Sequence, residues 1–227
     1  MENPRKVQSG HLWRVATTLP VFCLAMGNAS AAILTGAVTT EAISGYAGTA
    51  YQIGKADGGR AVYGLWSVER SDNPCYIASM TEDINNAGDD SGGKKDLCGN
   101  NATSTEIKAE FSDAKFADHT FVRALRVCMN DRNTRVKGFQ VRGRKIDSNG
   151  NLIDLAADYP DGNSSGLSAL VDQNAPSDQR NNCNGNWKRW SKCPDGTIAT
   201  ALEAHFEAGS TPRSLTGIAL KCRTVRP

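Results

Sequence analysis

Hydrophobic and polar residues alternate at a period of two in several short stretches, which is the pattern of half-buried β-strands. The clearest example is a pair of stretches, residues 121–128 and 135–142, on either side of the polar turn 130–133. Both arms keep their alternation up to the turn, so the pattern predicts an antiparallel hairpin. No stretch has the longer period of an extended amphipathic helix. The chain is therefore predicted to be all-β.

Further strands are predicted on both sides of this hairpin. Residues 61–68 and 106–111 alternate before it, and residues 187–192, 197–207 and 214–224 have strand-like patterns after it. In the stretch 197–207, alternation places five side chains on one face: Ile198, Thr200, Leu202, Ala204 and Phe206. The stretches 81–104 and 147–185 are crowded with Asn, Asp, Ser and Gly, so they are predicted to be long loops.

Three stretches share the order apolar, polar, small, apolar, polar, apolar. They are residues 122–127, 136–141 and 215–220. The small third residue would let a neighbouring backbone or an aromatic ring approach closely. Two explanations stay open, true internal repetition and the general likeness of half-buried strands.

The first residues have the three-part pattern of a secretory signal peptide. Positive charge at Arg5, Lys6 and Arg14 precedes an apolar stretch over residues 15–26, and residues 29–31 form an A-x-A cleavage site. A retained membrane anchor is the alternative, but the apolar run is short for a span and contains a proline. The pattern predicts a secreted or periplasmic protein.

Length and composition set the organisation of the rest. The chain of 227 residues is 39% hydrophobic and 22% charged, which is typical of one globular domain. We expect residues 1–31 to be removed as the signal peptide. Residues 32–60 are small and polar, so they are expected to form an irregular lead-in. Residues 61–227 are expected to form a single β domain.

Charge argues against two classes of partner. The chain has 26 Lys and Arg against 24 Asp and Glu, and removal of residues 1–31 leaves equal numbers. A neutral protein has no global field to hold nucleic acid or an anionic membrane surface, so we expect no nucleic-acid partner. The short apolar run near the start of the chain is the argument against a membrane span. The segment 121–146 nevertheless holds eight Lys and Arg. This basic strip could recruit an anionic glycan or pair with the protein's own carboxylates.

Six cysteines follow the predicted signal peptide, and an even number in an exported protein indicates up to three disulfides. They are Cys75, Cys98, Cys128, Cys183, Cys193 and Cys222. Fifteen connectivities are open in principle. Cys98 and Cys128 have nearly the same separation as Cys193 and Cys222, so these two pairs would close similar loops. In that case Cys75 would join Cys183.

Motifs for metal binding are weak. The cysteines lack the C-x₂-C spacing of a zinc site, so disulfides are favoured over metal thiolates. An acidic loop could bind calcium through four residues: Asp83, Asp89, Asp90 and Asp96. These residues lack the register of a calcium-binding loop, so a solvated loop is favoured and no cofactor is expected.

Motifs for catalysis are also weak. Ser164 lies in a G-x-S-x-G string like that of serine hydrolases, and His205 could act as its base. That motif needs a strand before the serine and a helix after it, and here a turn precedes it. His119, beside Asp118, is interpreted as a solvated loop residue. No catalytic residue is therefore predicted.

Aromatic residues supply the candidate ligand-binding set. Trp187 and Trp190 are three residues apart, so on an extended strand their side chains point to opposite faces. One ring would fill the core, and the other, beside Arg189, would face water and could stack on a sugar ring. The alternative is that both rings cap a sheet edge. Trp66 and Tyr63 have the same spacing and are interpreted in the same way.

The C-terminal part resembles one repeat of a known family. Its motif contains Trp187 and Trp190, a Cys-Pro-x-Gly turn that begins at Cys193, and a closing strand over residues 215–222 that ends in Cys222. In these features it is similar to the vitelline membrane outer layer protein family, whose closing cysteine bonds back to an earlier one. The resemblance implies a β-prism, with three four-stranded sheets about a pseudo-threefold axis, and a cleft that binds carbohydrate.

The sequence thus predicts a disulfide-stabilised all-β fold, either β-prism-like or a β-sandwich of short antiparallel strands. The expected function is non-catalytic, lectin-like recognition of carbohydrate on a cell surface or matrix. Two alternatives stay open. One is an extracellular hydrolase acting on polysaccharide, which needs two carboxylates at a set separation. The other is a structural, envelope or toxin-like interaction protein.

Overall fold

A computed structural model describes most of the chain after the predicted signal peptide. The described residues are 31–55, 58–70, 73–85, 92–99, 105–110, 120–154, 170–171, 183, 186–209, 211 and 213–227. Within these ranges the strands are β1 Ile33–Thr40, β2 Ser44–Gly45, β3 Thr49–Ile53, β4 Arg60–Arg70, β5 Asn73–Asp83, β6 Lys94–Asp96, β7 Thr105–Glu110, β8 Thr120–Met129, β9 Val136–Ile146, β10 Leu152–Asp154, β11 Leu170–Val171, β12 Ser191–Lys192, β13 Thr197–Phe206 and β14 Leu215–Arg226.

These strands form three antiparallel sheets. Sheet A has the order β1-β14-β13-β3, with β2 also paired to β14. Sheet B has the order β11-β7-β4-β5-β6, and sheet C has the order β10-β9-β8-β12. The all-β prediction is confirmed, and three sheets are the number in a β-prism, whereas a sandwich has two. In the described part of the chain, no helix is long and apolar enough to cross a membrane.

Each sheet is built on one long hairpin, and the three hairpins share the same irregular register. The hairpins are β4–β5, β8–β9 and β13–β14. Each first strand contains one additional residue, a β-bulge, at its fourth position: Tyr63, Arg123 and Thr200. Each return strand contains a second bulge near its own start: Cys75, Lys137 and Thr216. The ladder between the bulges has the same length in all three, so one unit is repeated three times.

The repeat brings equivalent side chains into one shared core. On the first strands these are Leu65, Leu125 and Leu202, and on the return strands Ile77, Phe139 and Ile218, all with no exposed surface. A second apolar cluster lies where the hairpins begin and end, and it includes Ala61, Phe121, Ile198, Ile84, Ile146 and Val225. Because all three sheets contribute to the same core, its burial stabilises the sheets together.

The bulge at Thr200 changes the predicted face of β13. Strict alternation places Ile198 and Leu202 on one face. In the structure Ile198 joins the second cluster, while Ala199 joins Leu202 in the main core. A bulge adds one residue to one strand and shifts the alternation beyond it. The sequence pattern does not reveal this bulge because threonine fits a strand in either register.

The likeness among three short stretches has a structural basis in two of them. Residues 136–141 and 215–220 occupy equivalent positions on return strands, whereas residues 122–127 lie on a first strand. The expectation that a small third residue admits a close backbone neighbour is confirmed at Gly217. A Cβ added to Gly217 would lie 2.7 Å from the carbonyl oxygen of Tyr46, and one added to Gly138 would lie 3.4 Å from the sulfur of Cys183.

Residues 32–60 differ from the expected irregular lead-in. They contain β1 and β2, which pair with β14, and β3, which pairs with β13. Most side chains of β1 and β3 are exposed or half-buried. These strands are held mainly by the hydrogen-bond ladder that they form with the β13–β14 hairpin. Amino-acid composition gives no information about such pairing.

Two further predicted segments also differ. Of residues 187–192, predicted as one strand, only Ser191 and Lys192 pair continuously with β8, and Trp187 forms an isolated bridge to Cys128. The predicted loop 81–104 contains the end of β5 and the short strand β6. Short strands at a sheet edge need only a few ladder hydrogen bonds, so polar sequences can form them.

The pairing of Cys193 with Cys222 is confirmed, and the other two expected pairings are wrong. Cys75 is bonded to Cys98, and Cys128 to Cys183. Cys75 lies on β5, and the amide of Leu97 donates to its carbonyl at 2.8 Å, which brings Cys98 alongside. The separation of cysteines along the chain could not predict this bond, because the bond depends on the pairing of β5 with β6. Three disulfides are typical of an oxidising compartment.

A fully buried ion pair joins sheets B and C. Nζ of Lys137, a bulge residue of β9, donates to Oε1 of Glu69 on β4 at 2.7 Å. Both side chains are 1% exposed. Removing one member of a buried ion pair leaves the other charge desolvated without that attraction, which is destabilising. The pair therefore fixes where the hairpin of sheet C meets that of sheet B.

We expect Lys137→Met to lower the free energy of unfolding by about 3–5 kcal/mol, because the Glu69 carboxylate stays buried but loses its ion pair with the Lys137 ammonium. The double variant Lys137→Met/Glu69→Leu should recover most of this loss, since neither charge is then buried. Urea unfolding measures both, with Lys192→Met at an exposed lysine as the control. A single variant as stable as the control would contradict the role of the pair.

Candidate functional site

The outward-facing positions of the three hairpins are equivalent, but they hold different side chains. The residue after the core leucine is Trp66 in sheet B, Arg126 in sheet C and Glu203 in sheet A. Its diagonal neighbour on the return strand is Met80, Arg142 and Lys221, respectively. Diagonal neighbours on one face of a sheet are within reach of long side chains. The space between these two side chains is called the outer spot of each sheet.

In sheet A an ion pair spans the outer spot. Nζ of Lys221 lies 3.1 Å from Oε2 of Glu203 and donates to the hydroxyl of Thr40 at 3.1 Å. His205 Nε2 lies 3.3 Å from the other oxygen of Glu203, and its Nδ1 lies 3.4 Å from the amide nitrogen of Gly48. Glu203 and Lys221 thus neutralise each other's charge across the outer spot.

In sheet C the outer spot holds the ring of Trp190. The guanidinium carbons of Arg126 and Arg142 lie 4.8 and 4.3 Å from the centre of this ring. Arg126 also lies 5.2 Å from the Trp187 ring. These distances are typical of cation–π contacts. Two tryptophans and two arginines therefore form one stack on the outer face of sheet C.

Trp187 and Trp190 thus contact the same arginine, although their spacing predicts opposite faces. The prediction assumed an extended strand, and residues 186–190 lie outside the strands. Both rings are half-buried, and neither belongs to the apolar core. This arrangement is close to the alternative that both rings cap a sheet. Nε of Arg189 donates to the carbonyl of Ile43 at 3.0 Å, which ties this segment to the chain before β2.

In sheet B the outer spot is an open pocket. Trp66 and Met80 line a cavity of about 240 Å³. The other lining residues are Tyr63, Tyr76, Ala78, Ser79, Gly92, Gly93 and Lys94. The rings of Trp66 and Tyr76 lie 5.8 Å apart at an angle of 44°. This cavity is called the aromatic pocket.

A bulge brings Tyr63 and Trp66 to the same pocket. Residues three apart face opposite sides of a regular strand, but Tyr63 is the additional residue of the β4 bulge, so alternation restarts after it. Sequence reasoning missed Tyr76, Met80 and Lys94. The alternation of Tyr76, Ala78 and Met80 is the signal that could have placed them beside Trp66 on a return strand.

The other predicted site residues are not assembled into a second site among the described residues. Ser164, His119, Asp89 and Asp90 lie outside the described residues, so those interpretations stay predictions. Asp83 and Asp96 each accept a hydrogen bond from a backbone amide two residues further along the chain. Where the structure is described, no group of His, Cys, Asp and Glu side chains is arranged to hold a metal.

The basic strip of sheet C is divided among contacts within the protein. Lys137 is buried with Glu69, and Arg126 and Arg142 contact the tryptophans. Arg144 donates to the carbonyls of Pro194 and Thr197 at 3.1 and 2.8 Å. These four side chains therefore fit the alternative of pairing within the protein better than that of a continuous basic surface for an anionic glycan. Only some of their partners are carboxylates.

We expect Trp190 and Arg142 to be energetically coupled. A double-mutant cycle with Trp190→Leu and Arg142→Gln should give a coupling of about 0.5–2 kcal/mol in unfolding free energy, the range of a cation–π contact. The matched control is a cycle of Trp190→Leu with Arg189→Gln, because Arg189 contacts the Ile43 carbonyl instead. Strict additivity of the first cycle would contradict the stack.

Comparison with known proteins adds no assignment. No protein-family model matches the sequence, and a search of curated proteins finds no match. The likeness to the vitelline membrane outer layer family stays a resemblance.

Proposed function

We propose that this protein is an exported, non-catalytic carbohydrate-binding protein and that the aromatic pocket of sheet B holds one sugar ring. The observation that carries the proposal is the open outer spot between Trp66 and Met80, with Tyr63 and Tyr76 beside it. Concave sites with apolar walls and a few polar groups are typical of small-ligand binding.

The equivalent spot of sheet C indicates what can fit there. In that sheet a flat ring, Trp190, contacts both of the side chains that correspond to Trp66 and Met80. The backbone registers of the two hairpins are the same. The spacing in sheet B is therefore suited to a ring-shaped group, which a ligand would supply in place of an indole.

The side chains around the pocket favour a sugar ring. A pyranose has an apolar face of C–H groups, and an aromatic ring presents a negative face to which polarised hydrogens are attracted. Trp66 and Tyr76 contribute aromatic surface to the pocket wall, with their rings 5.8 Å apart.

Recognition is favoured over hydrolysis. Glycoside hydrolysis generally uses two carboxylic acids on either side of the scissile bond. Among the described residues that line the aromatic pocket, none is Asp or Glu. Ser164 of the G-x-S-x-G string lies outside the described residues, so its surroundings add no argument for hydrolysis. Hydrolysis of polysaccharide remains the second candidate.

We expect Trp66→Ala to weaken saccharide binding by about 30-fold or more, because truncating a central aromatic residue of a binding site commonly costs about 2 kcal/mol. A glycan array with the oxidised protein identifies the saccharide, and calorimetry gives the affinity. Trp190→Leu is the matched control, since that ring packs against Arg126 and Arg142 and should leave the affinity unchanged.

Two results would count against the proposal. Loss of binding in Trp190→Leu with retention in Trp66→Ala would place the site on sheet C. Absence of saturable binding to any glycan, with the three disulfides intact, would favour a structural or interaction protein. Release of reducing sugar from polysaccharide would favour the hydrolase.

A further inference from the structure

A lysine lies at the rim of the aromatic pocket. Lys94 begins β6 and is paired in register with Ala78, which also lines the pocket. Its side chain is exposed. Cys98, shortly after β6, is bonded to Cys75 on β5, so the segment with Lys94 is held against β5 at two points. The cation is thus attached to a fixed part of the pocket wall.

The positive charge of Lys94 is not neutralised by the described part of the chain. None of the ion pairs of the described residues includes Lys94. Asp96 is two residues away on β6, does not line the pocket, and accepts the amide of Cys98 at 2.9 Å through Oδ1. The neighbouring Lys95 is engaged elsewhere, with Nζ 4.2 Å from the centre of the Tyr51 ring.

We infer that the aromatic pocket selects a sugar that carries an anionic group, such as the carboxylate of a uronic acid, which pairs with Lys94. This inference rests on the proposed function and adds the class of saccharide. The ring would stack on Trp66 and Tyr76, and the anionic substituent would point to the rim that holds Lys94. An ammonium group donates three hydrogen bonds, so it accommodates a carboxylate in several orientations.

The same lysine argues against the other ligand that aromatic walls attract. Three aromatic rings around a cavity can bind a quaternary ammonium group through cation–π contacts. A fixed positive charge at the rim would repel such a ligand. The aromatic walls would suit both an anionic sugar and an organic cation, but the charge of Lys94 favours the anionic sugar.

The test uses calorimetry on the oxidised protein to compare methyl β-glucuronide with methyl β-glucoside. The glucuronide has a carboxylate where the glucoside has a hydroxymethyl group. The glucuronide should bind more tightly. Lys94→Gln should weaken its binding by about threefold to tenfold, between the effect of an exposed ion pair and that of a charge-assisted hydrogen bond. Affinity for the glucoside should not change. Higher salt should weaken only the glucuronide complex.

The matched control is Lys95→Gln, because this residue adjoins Lys94 but contacts Tyr51. Equal binding of both glycosides, with no effect of Lys94→Gln and loss in Trp66→Ala, would overturn the charge inference and leave carbohydrate binding intact. If neither glycoside nor any arrayed glycan binds, both proposals fail. Binding of tetramethylammonium that tightens in Lys94→Gln would identify a site for organic cations instead.

Discussion

The register of the three long hairpins is the constraint on which the other features depend. Each hairpin has a bulge on its first strand and another on its return strand, with the same ladder between them. A slip by one residue would turn the core leucines Leu65, Leu125 and Leu202 toward solvent. Burial of these residues therefore holds the register, and the register determines which side chains face outward.

The outer spot shows how one backbone arrangement serves three purposes. Sheet A closes it with the Glu203–Lys221 ion pair, and sheet C fills it with the indole of Trp190. Sheet B leaves it open between Trp66 and Met80. Since the backbone is repeated, the difference resides in the side chains and in the segment that covers sheet C. The proposed binding site is the one outer spot that the described residues do not fill with an ion pair or an indole ring.

Contacts between sheets fix how the three hairpins are assembled. The Lys137–Glu69 pair connects sheet C to sheet B. Between sheets A and C, the amide of Val127 donates to the hydroxyl of Ser44, and the amide of Leu220 donates to the hydroxyl of Ser191, each at 2.9 Å. Fixed walls reduce the ordering that a ligand must impose, which favours binding. The Cys75–Cys98 bond acts in the same way on the pocket rim, because it holds the segment of Lys94 near β5.

The amino-acid sequence determined the strand content, the hairpin over residues 121–142 and the presence of disulfides. Alternation and turn residues act between neighbours in the chain, so a linear pattern records them. The pairing of Cys193 with Cys222 could also be read because both lie in the motif that resembles a known repeat. Trp66 and Tyr63 could be named as candidates because their spacing was expected to leave one of the two rings available for ligand stacking.

Tertiary structure alone decided which of these candidates share a site. One additional residue at Tyr63 reverses the alternation and brings it beside Trp66, and no local pattern marks that bulge. Trp187 and Trp190 stack on Arg126 because two segments distant in sequence meet on sheet C. The partner of Cys75 and the position of Lys94 likewise follow from the pairing of β5 with β6. Contacts of this kind form only when the sheets assemble, which is why the sequence named the aromatic residues but not the pocket.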